Sequence, residues 1–422
     1  MQRESKGGRE GGEEGAWGKW RALLLLSLAE LLGMSLWFTA SAIAPELQAE
    51  WGLTPGQVGW LTTTVQLGFV AGTALAAVLN LADVLPSRFY FSAAAALGAL
   101  SNLLILWVPG YAVMLAARFF TGFFLAGVYP PAMKMIATWF SSARGLAIGT
   151  VVGALTVGKA SPYLVKSLPS LSLDAVVLSA SLAALAGGLL VLAGYRDGPF
   201  PFARAPFSWS LVPRVMRSRP TRLAIGGYLG HMWELYAVWT WVPVFLLASA
   251  SSRSGGTPES AQAAELVAFG AIAAGGLGCV WGGWAADRMG RERLVNLAMA
   301  VSGACSLTAG LFMGWSFWIV APLVWVWGFF VVADSAQFSA LVTEVAPSEA
   351  VGTALTLQTS MGFLLTMVTI QGLPLLIDGL GWSGGFPFLA LGPALGIWAM
   401  LRLSRLRSRA EPPAWASPRP PS

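Results

Sequence analysis

The chain has 422 residues, 56% of them hydrophobic and only 11% charged, with a formal net charge of +6. A soluble globule of 44.4 kDa needs more polar surface than this, and a mean hydropathy of +0.66 places the chain in a bilayer. The basic residues are scattered over short turns, so they read as a topology signal and exclude a nucleic-acid patch.

Residues 1–20 are polar and glycine-rich and lack the apolar core of a signal peptide, so a cytoplasmic tail is expected and the first span directs insertion. Apolar runs of the ~20 residues that cross ~30 Å of hydrocarbon follow at 21–46, 56–82, 89–108, 111–140, 145–166 and 174–194. The proline- and arginine-rich segment 196–220 then reads as a cytoplasmic linker lying on the membrane surface. Six more runs occupy 222–248, 262–286, 293–313, 315–343, 351–374 and 384–403, and 405–422 reads as a second cytoplasmic tail.

Hydrocarbon offers backbone groups no partner, and continuous apolar runs are not the alternating pattern of barrel strands. The expected fold class is all-α integral membrane: twelve transmembrane helices in two pseudo-symmetric six-helix bundles, 21–195 and 221–404. Of 26 Lys and Arg, 21 fall on the side of the tails and linker, which puts both termini in the cytoplasm. The excess of Arg over Lys and the lack of N-x-S/T sequons point to a bacterial inner membrane. Cys279 and Cys305 fall within spans and read as buried apolar residues.

The halves repeat. GFF at 122–124 recurs at 328–330; ARGLAIGT at 143–150 answers to AVGTALT at 350–356; Glu30 precedes Trp37 by the spacing that separates Glu234 from Trp241; LNLADVLPSR (79–88) answers to GGWAADRMGR (282–291). Repeated six-span halves are the trace of a secondary transporter with its site between them.

The loop GGWAADRMGRER (282–293) resembles the G-x-x-x-D-R-x-G-R loop of the major facilitator superfamily, with Gly283, Asp287, Arg288, Gly290 and Arg291 filling the pattern. The first-half copy keeps Asp83 and Arg88 but has Leu79, Val84 and Pro86 in place of the glycines and first arginine. RFFTG (118–122) is similar to the R-x-x-x-G pattern of the superfamily's fourth span. The antiporter signature is incomplete: Gly149, Gly153, Gly158 and Pro162 are present, but Lys159 and Ala160 intervene before the proline. The resemblance covers roughly 20–405 and implies alternating access about a central cavity, with the Asp83–Arg88 and Gly283–Arg291 loops as conformational gates.

Glu30, Arg118, Lys134, Lys159, His231, Glu234 and Asp334 all fall inside spans, where a lone charge costs on the order of 3 kcal/mol or more. They must face a cavity or pair. At about 1.5 Å of rise per residue, Glu30 and Lys134 lie at comparable depths of roughly 9–13 Å, and His231 and Asp334 both at roughly 13 Å. The superfamily's cavity is lined by spans one, four, seven and ten, which implies two contacts, Glu30 with Lys134 and His231 with Asp334, Glu234 lying one turn above the histidine. Glu30, His231, Glu234 and Asp334 are therefore the expected proton-coupling residues; a static polar contact between spans seven and ten is the alternative.

Arg118, Lys134, Lys159 and Gln358 are the expected substrate-binding residues, with snorkelling the alternative for Arg118 and Lys134. Gln66, Gln358 and Gln371 equally suit helix–helix hydrogen bonds. Trp233, Tyr236 and Trp239 read as a packing or interfacial stripe. No zinc spacing and no Walker loop occurs, so no metal, cofactor or ATP is expected, and no nucleophile–base pair supports an enzyme. The expected partners are a small-molecule substrate, protons and the lipid bilayer, with the chain a monomer. Three basic residues in the first half favour a small anionic or zwitterionic solute. A proton-antiport exporter of drugs or toxic metabolites is the alternative, suggested by aromatic and methionine content and by Glu30.

Overall fold

The structure, a computed structural model, describes residues 7–140, 143–169, 171–200, 207–255 and 257–410; the side chains of 7–17, 82, 83, 144, 254, 409 and 410 lie outside that description. Most of the first expected tail's side chains and the C-terminal tail beyond 410 are therefore outside it as well. The described residues form helices and no strand. The first half holds α1 (Gly7–Gly33), α2 (Pro55–Val78), α3 (Ser87–Leu103), α4 (Tyr111–Leu125), α5 (Tyr129–Ala137), α6 (Arg144–Lys166) and α7 (Leu173–Gly194). The second holds α8 (Arg219–Ser254), α9 (Pro258–Met289), α10 (Arg291–Thr308), α11 (Phe317–Ala333), α12 (Ser335–Val345), α13 (Val351–Gly385) and α14 (Leu391–Ala410).

Local chemistry sets the ends. Thr54 caps α2 in a reciprocal box with Gln57, and Pro55 occupies the first turn, where its missing N–H costs nothing. Ser218 and Thr257 cap α8 and α9 by accepting from the backbone N–H of Thr221 and Ser260, each with a proline in the first turn. Gly290 ends α9 at φ +87°, a conformation that a side chain resists.

By length and composition ten helical stretches among the described residues can cross a membrane. The last, Ser348–Ser408, contains both α13 and α14, with non-helical backbone at Gly381. The first expected span, 21–46, is not among the ten: α1 stops at Gly33, a tight turn covers Met34–Leu36, and helix resumes only in short pieces, Thr39–Ala42 and Ala44–Trp51. The expected fourth and tenth spans are each two helices. One breaks at Ala126–Val128, just before Pro130 and Pro131; the other breaks at Asp334. Leu182, Leu277, Leu375 and Trp318 point outward, as acyl-chain and interfacial neighbours require.

Packing stays mostly within each half. In the first, α1 lies on α6 and α7, α2 on α4, and α3 on α4 and α7; in the second, α8 lies on α13 and α14, α9 on α11, and α10 on α11 and α14. The halves meet chiefly where α6 packs on α9 and α2 on α13. Lipid gives helices no hydrophobic reason to associate, so close backbone approach carries much of the packing. A Cβ on Gly122 would collide with the Val65 carbonyl, and one on Gly328 with the Ala271 carbonyl. Gly72 likewise abuts Phe123, and Gly278 abuts Phe329. Each second-half member lies 206 residues after its first-half counterpart, so the GFF repeat is a repeated helix crossing.

Gly122→Ala and Gly328→Ala should each lower the melting temperature of the detergent-solubilised protein, in keeping with a stability loss of about 1–3 kcal/mol typical of overpacking. Gly379→Ala, whose Cβ meets nothing within 4 Å, is the control and should melt like the unaltered chain.

Candidate functional site

The break after α1 releases main-chain carbonyls in a region with no water to satisfy them, and Arg118 answers it. Its side chain, fully buried on α4, donates from Nη1 to the Leu36 carbonyl at 3.1 Å and to Asn102 Oδ1 at 3.1 Å, and from Nη2 to the Trp37 carbonyl. Asn102 in turn donates to Ser181 on α7 at 3.0 Å. A planar guanidinium with several fixed donors suits this task better than an ammonium. Arg118 thus ties the broken first span to α3, α4 and α7, and only its Nε lacks a partner.

The turn so held presents Trp37 to the middle of the molecule. There Lys159, 4% exposed, sits with its Nζ 4.3 Å from the Trp37 ring centroid, 5.1 Å from Tyr236 and 5.0 Å from Trp239, and donates to the Tyr236 hydroxyl at 2.8 Å. A desolvated cation–π contact contributes on the order of 2 kcal/mol, so this three-walled box is a substantial part of what keeps the ammonium inside. Trp37 comes from the first half and Tyr236 and Trp239 from the second. Phe38, Phe69, Tyr163 and Phe363 extend the cluster behind them.

Glu30 lies close by, fully buried, with neither carboxylate oxygen hydrogen-bonded among the described residues. Of the described cations, Lys159 lies within through-space reach of it. The expected contact with Lys134 does not form. The break at Ala126–Val128 spoils a depth counted along one continuous helix, and Gly158 brings the backbone of α6 against Leu31, next to Glu30. Lys134 is half-buried on α5.

In the second half, His231 on α8 and Asp334 at the break between α11 and α12 lie 2.9 Å apart, Nδ1 to Oδ1, both essentially buried. The separation is that of an ion pair, but the ring N–H is not aligned on Oδ1 as a hydrogen bond, and the histidine's Nε2 has no partner. Tyr228 and Phe338 flank the imidazole. Glu234 is fully engaged elsewhere: it accepts from Ser302 at 2.8 Å, from Ser306 and from Trp327 Nε1 at 2.8 Å, joining α8 to α10 and α11. It does not bond to His231, since its donors draw it to another side of α8.

The glutamines divide. Gln66 lies 2.6 Å from the Thr366 hydroxyl, and the Gln371 amide lies 3.0 Å from Thr63 Oγ1, so both join α2 to α13 across the halves. Gln358 is buried, reaches Ser339 at 3.4 Å, and leaves Oε1 unmet. In the expected gating loops Asp287 and Arg288 are exposed, Arg288 stacking on Trp284 at 3.7 Å, while Gly283 packs against Gly145 of α6. Arg291 bonds Glu344 at 2.7 Å and Gln337 at 2.6 Å, and Arg407 bridges Glu292 and Glu344, so this end of α10, α12 and α14 is one charge network. Arg88 is exposed over Phe89; the side chain of Asp83 lies outside the described residues.

Sequence reasoning missed the aromatic box, because a Trp/Tyr stripe at helical spacing reads equally well as packing. It also missed Glu265 on α9, 4% exposed with one oxygen unpartnered, which faces Lys166, itself bonded to Glu46. Its place three residues inside an expected span made it look like a boundary residue.

The chain matches the model of the Major Facilitator Superfamily over residues 25–370. It belongs to that superfamily. This superfamily member is a multi-pass membrane transporter, and Arg118, Lys159, His231, Glu234 and Asp334 all lie within the matched span. No curated protein matches the chain significantly. Among solved structures it is similar to the crystal structure of a point mutant of the nucleoside transporter NupG, at 15% identity and a TM-score of 0.67, over 90% of this chain and 99% of that one. The likeness is one of fold.

Arg118→Lys should fail to restore what Arg118→Met removes, because one ammonium cannot hold Leu36, Trp37 and Asn102 together. Both variants should melt well below the unaltered protein, charge-assisted hydrogen bonds being worth about 1.5–3 kcal/mol each. A Lys variant that melts normally would contradict the clamp.

Proposed function

We propose that this transporter is a secondary, proton-coupled carrier of a small zwitterionic solute. Two six-helix bundles, 21–195 and 221–404, would alternate access around the Trp37–Lys159–Tyr236 region, the linker 196–220 joining them. Counting α1 with its broken continuation as one span and Ser348–Ser408 as two brings the ten stretches to twelve. Both termini then face the cytoplasm, in agreement with the basic residues, and the protein works as a monomer in a bacterial inner membrane.

The observation that carries the coupling is the His231–Asp334 pair. An imidazole and a carboxylate 2.9 Å apart, buried at a helix break and incompletely hydrogen-bonded, can take up and release a proton when the surrounding helices rearrange. Glu234, held by three donors from α10 and α11, completes the second-half cluster, and Glu30 is the first-half acid of the coupling set. The inter-half contacts Thr63–Gln371 and Gln66–Thr366 are contacts that opening must break. The loops around Asp83–Arg88 and Gly283–Arg291 gate the opposite end.

Zwitterion is favoured over simple anion because the basic residues are committed: Arg118 to main-chain carbonyls, Lys159 to aromatic faces and a tyrosine hydroxyl. The indole N–H groups of Trp37 and Trp239 are buried without partners among the described residues and are the donors for a solute's acidic end, with the unmet Oε1 of Gln358 a further polar group for the solute. An exporter of lipophilic cations is the second reading, favoured by the same aromatic walls.

In proteoliposomes with an inward proton gradient, and a panel of anions, zwitterions and lipophilic cations, the unaltered protein should accumulate a zwitterion. His231→Ala and Asp334→Asn should abolish that accumulation while sparing exchange between solute pools. If both variants accumulate solute normally, the coupling role is refuted; cation exit against proton entry selects the exporter.

A further inference from the structure

We propose that the aromatic box around the Lys159 ammonium is the seat of the transported solute's own ammonium group, which Lys159 fills as a tethered stand-in until the solute displaces it onto Glu30. This rests on the transporter reading only for the word transported; ammonium binding itself is tested without any transport.

Three observations converge on the exchange. The box is built for a cation, with two indole rings and the hydroxyl edge of Tyr236 around one charge and, among the described residues, no carboxylate bonded to it. Ring faces accept any ammonium, substituted or not, because they attract it through their quadrupoles and need no directed N–H. Next to the box stands an acceptor with nothing to accept: both oxygens of Glu30 are buried and unpartnered, which costs several kcal/mol of desolvation unless a partner arrives. Finally, Gly158 lets α6 touch the Leu31 carbonyl, so Lys159 and Glu30 flank one backbone contact between α6 and α1.

Charge then closes in both states. With the solute absent, Lys159 is in the box and Glu30 is bare. With the solute present, its ammonium is in the box and Lys159 meets Glu30 in an ion pair. The box holds one cation throughout, and the carboxylate gains its partner only when the carrier is loaded, so loading is favoured by a contact that the empty protein lacks. Since Trp37 belongs to one half and Tyr236 and Trp239 to the other, the box is whole only while the halves are together here, which links occupancy to their relative position.

The test uses the purified full chain in detergent, with tetramethylammonium and benzyltrimethylammonium chloride as probes, sodium chloride as the ionic-strength control, and intrinsic tryptophan fluorescence as the readout. Lys159→Met empties the box of its tether and should bind both probes about tenfold more tightly, in keeping with a contact of ~1–2 kcal/mol. Lys159→Arg keeps a tethered cation and should show no such gain. Glu30→Gln removes the landing place and should weaken probe binding to the chain that retains Lys159, yet leave the Lys159→Met affinity unchanged.

Tighter binding in Lys159→Met together with this non-additivity supports the exchange. If Lys159→Met gains nothing, or if Glu30→Gln acts equally in both backgrounds, Lys159 is a permanent plug and the proposal is overturned. Should Lys159→Met fail to fold, the nearly isosteric Glu30→Gln decides alone, since unchanged probe affinity in that variant overturns the withdrawal. Probe binding with these couplings but no proton-driven transport in liposomes would end the coupling reading and leave the box standing; transport without them would end the box alone.

Discussion

A charge inside a low-dielectric slab must be met by something, and the way each buried ionisable side chain is met divides this protein into scaffold and working parts. Arg118 is met by main-chain carbonyls and an asparagine, and in return it permits the first span to break where Trp37 must turn inward. Glu234 is met by two hydroxyls and an indole and becomes a bolt through three helices. Lys159 is met by aromatic faces, which hold a cation without fixing its orientation. Glu30 and the His231–Asp334 pair are met incompletely. Full satisfaction rigidifies, and partial satisfaction leaves a group whose state can change. The second class is where movement of ions and solute has physical means.

The scaffold was largely legible. Apolar run lengths placed the helices, and the GFF repeat marked a crossing that the structure shows twice, with Gly122 on Val65 and Gly328 on Ala271. Period and composition carry that information because close packing in lipid depends on small residues at fixed spacing. The breaks were less legible. Pro130 and Pro131 signal the one between α4 and α5, since proline belongs in a first helical turn. Nothing local announces the breaks at Met34–Phe38 or at Asp334. The first is compensated by Arg118, some eighty residues away, and no reading along the chain connects a carbonyl to a donor that distant.

The site was legible in its parts and misread in one of its pairings. His231 and Asp334 could be matched by depth because α8 is continuous and Asp334 was counted from the near end of its span. Glu30 could not be matched to its cation, because depth says nothing about azimuth, and the azimuth is set by Gly158 bringing α6 onto α1. Trp37, Tyr236 and Trp239 looked like packing because aromatic residues at helical spacing usually are; their role around Lys159 depends on helices from both halves converging. Glu265 shows the same limit at a span's edge, where burial is decided by the neighbour, α6, rather than by the run that contains it.

The two halves repeat their scaffold but not their electrostatics. Glu30 and Glu234 occupy related positions before Trp37 and Trp241, yet one carboxylate is bare and the other has three donors. The donors of Glu234 are Ser302, Ser306 and Trp327. On the first half's third and fourth spans the comparable polar side chains are engaged elsewhere: Thr121 gives its hydroxyl to the Ala117 carbonyl at 2.8 Å, and Asn102 bonds Arg118 and Ser181. The difference between the two acids therefore lies in side chains that a shared frame carries. A scaffold that satisfies one copy of a buried acid and withholds partners from the other fixes the first and leaves the second open to the exchange proposed for Lys159.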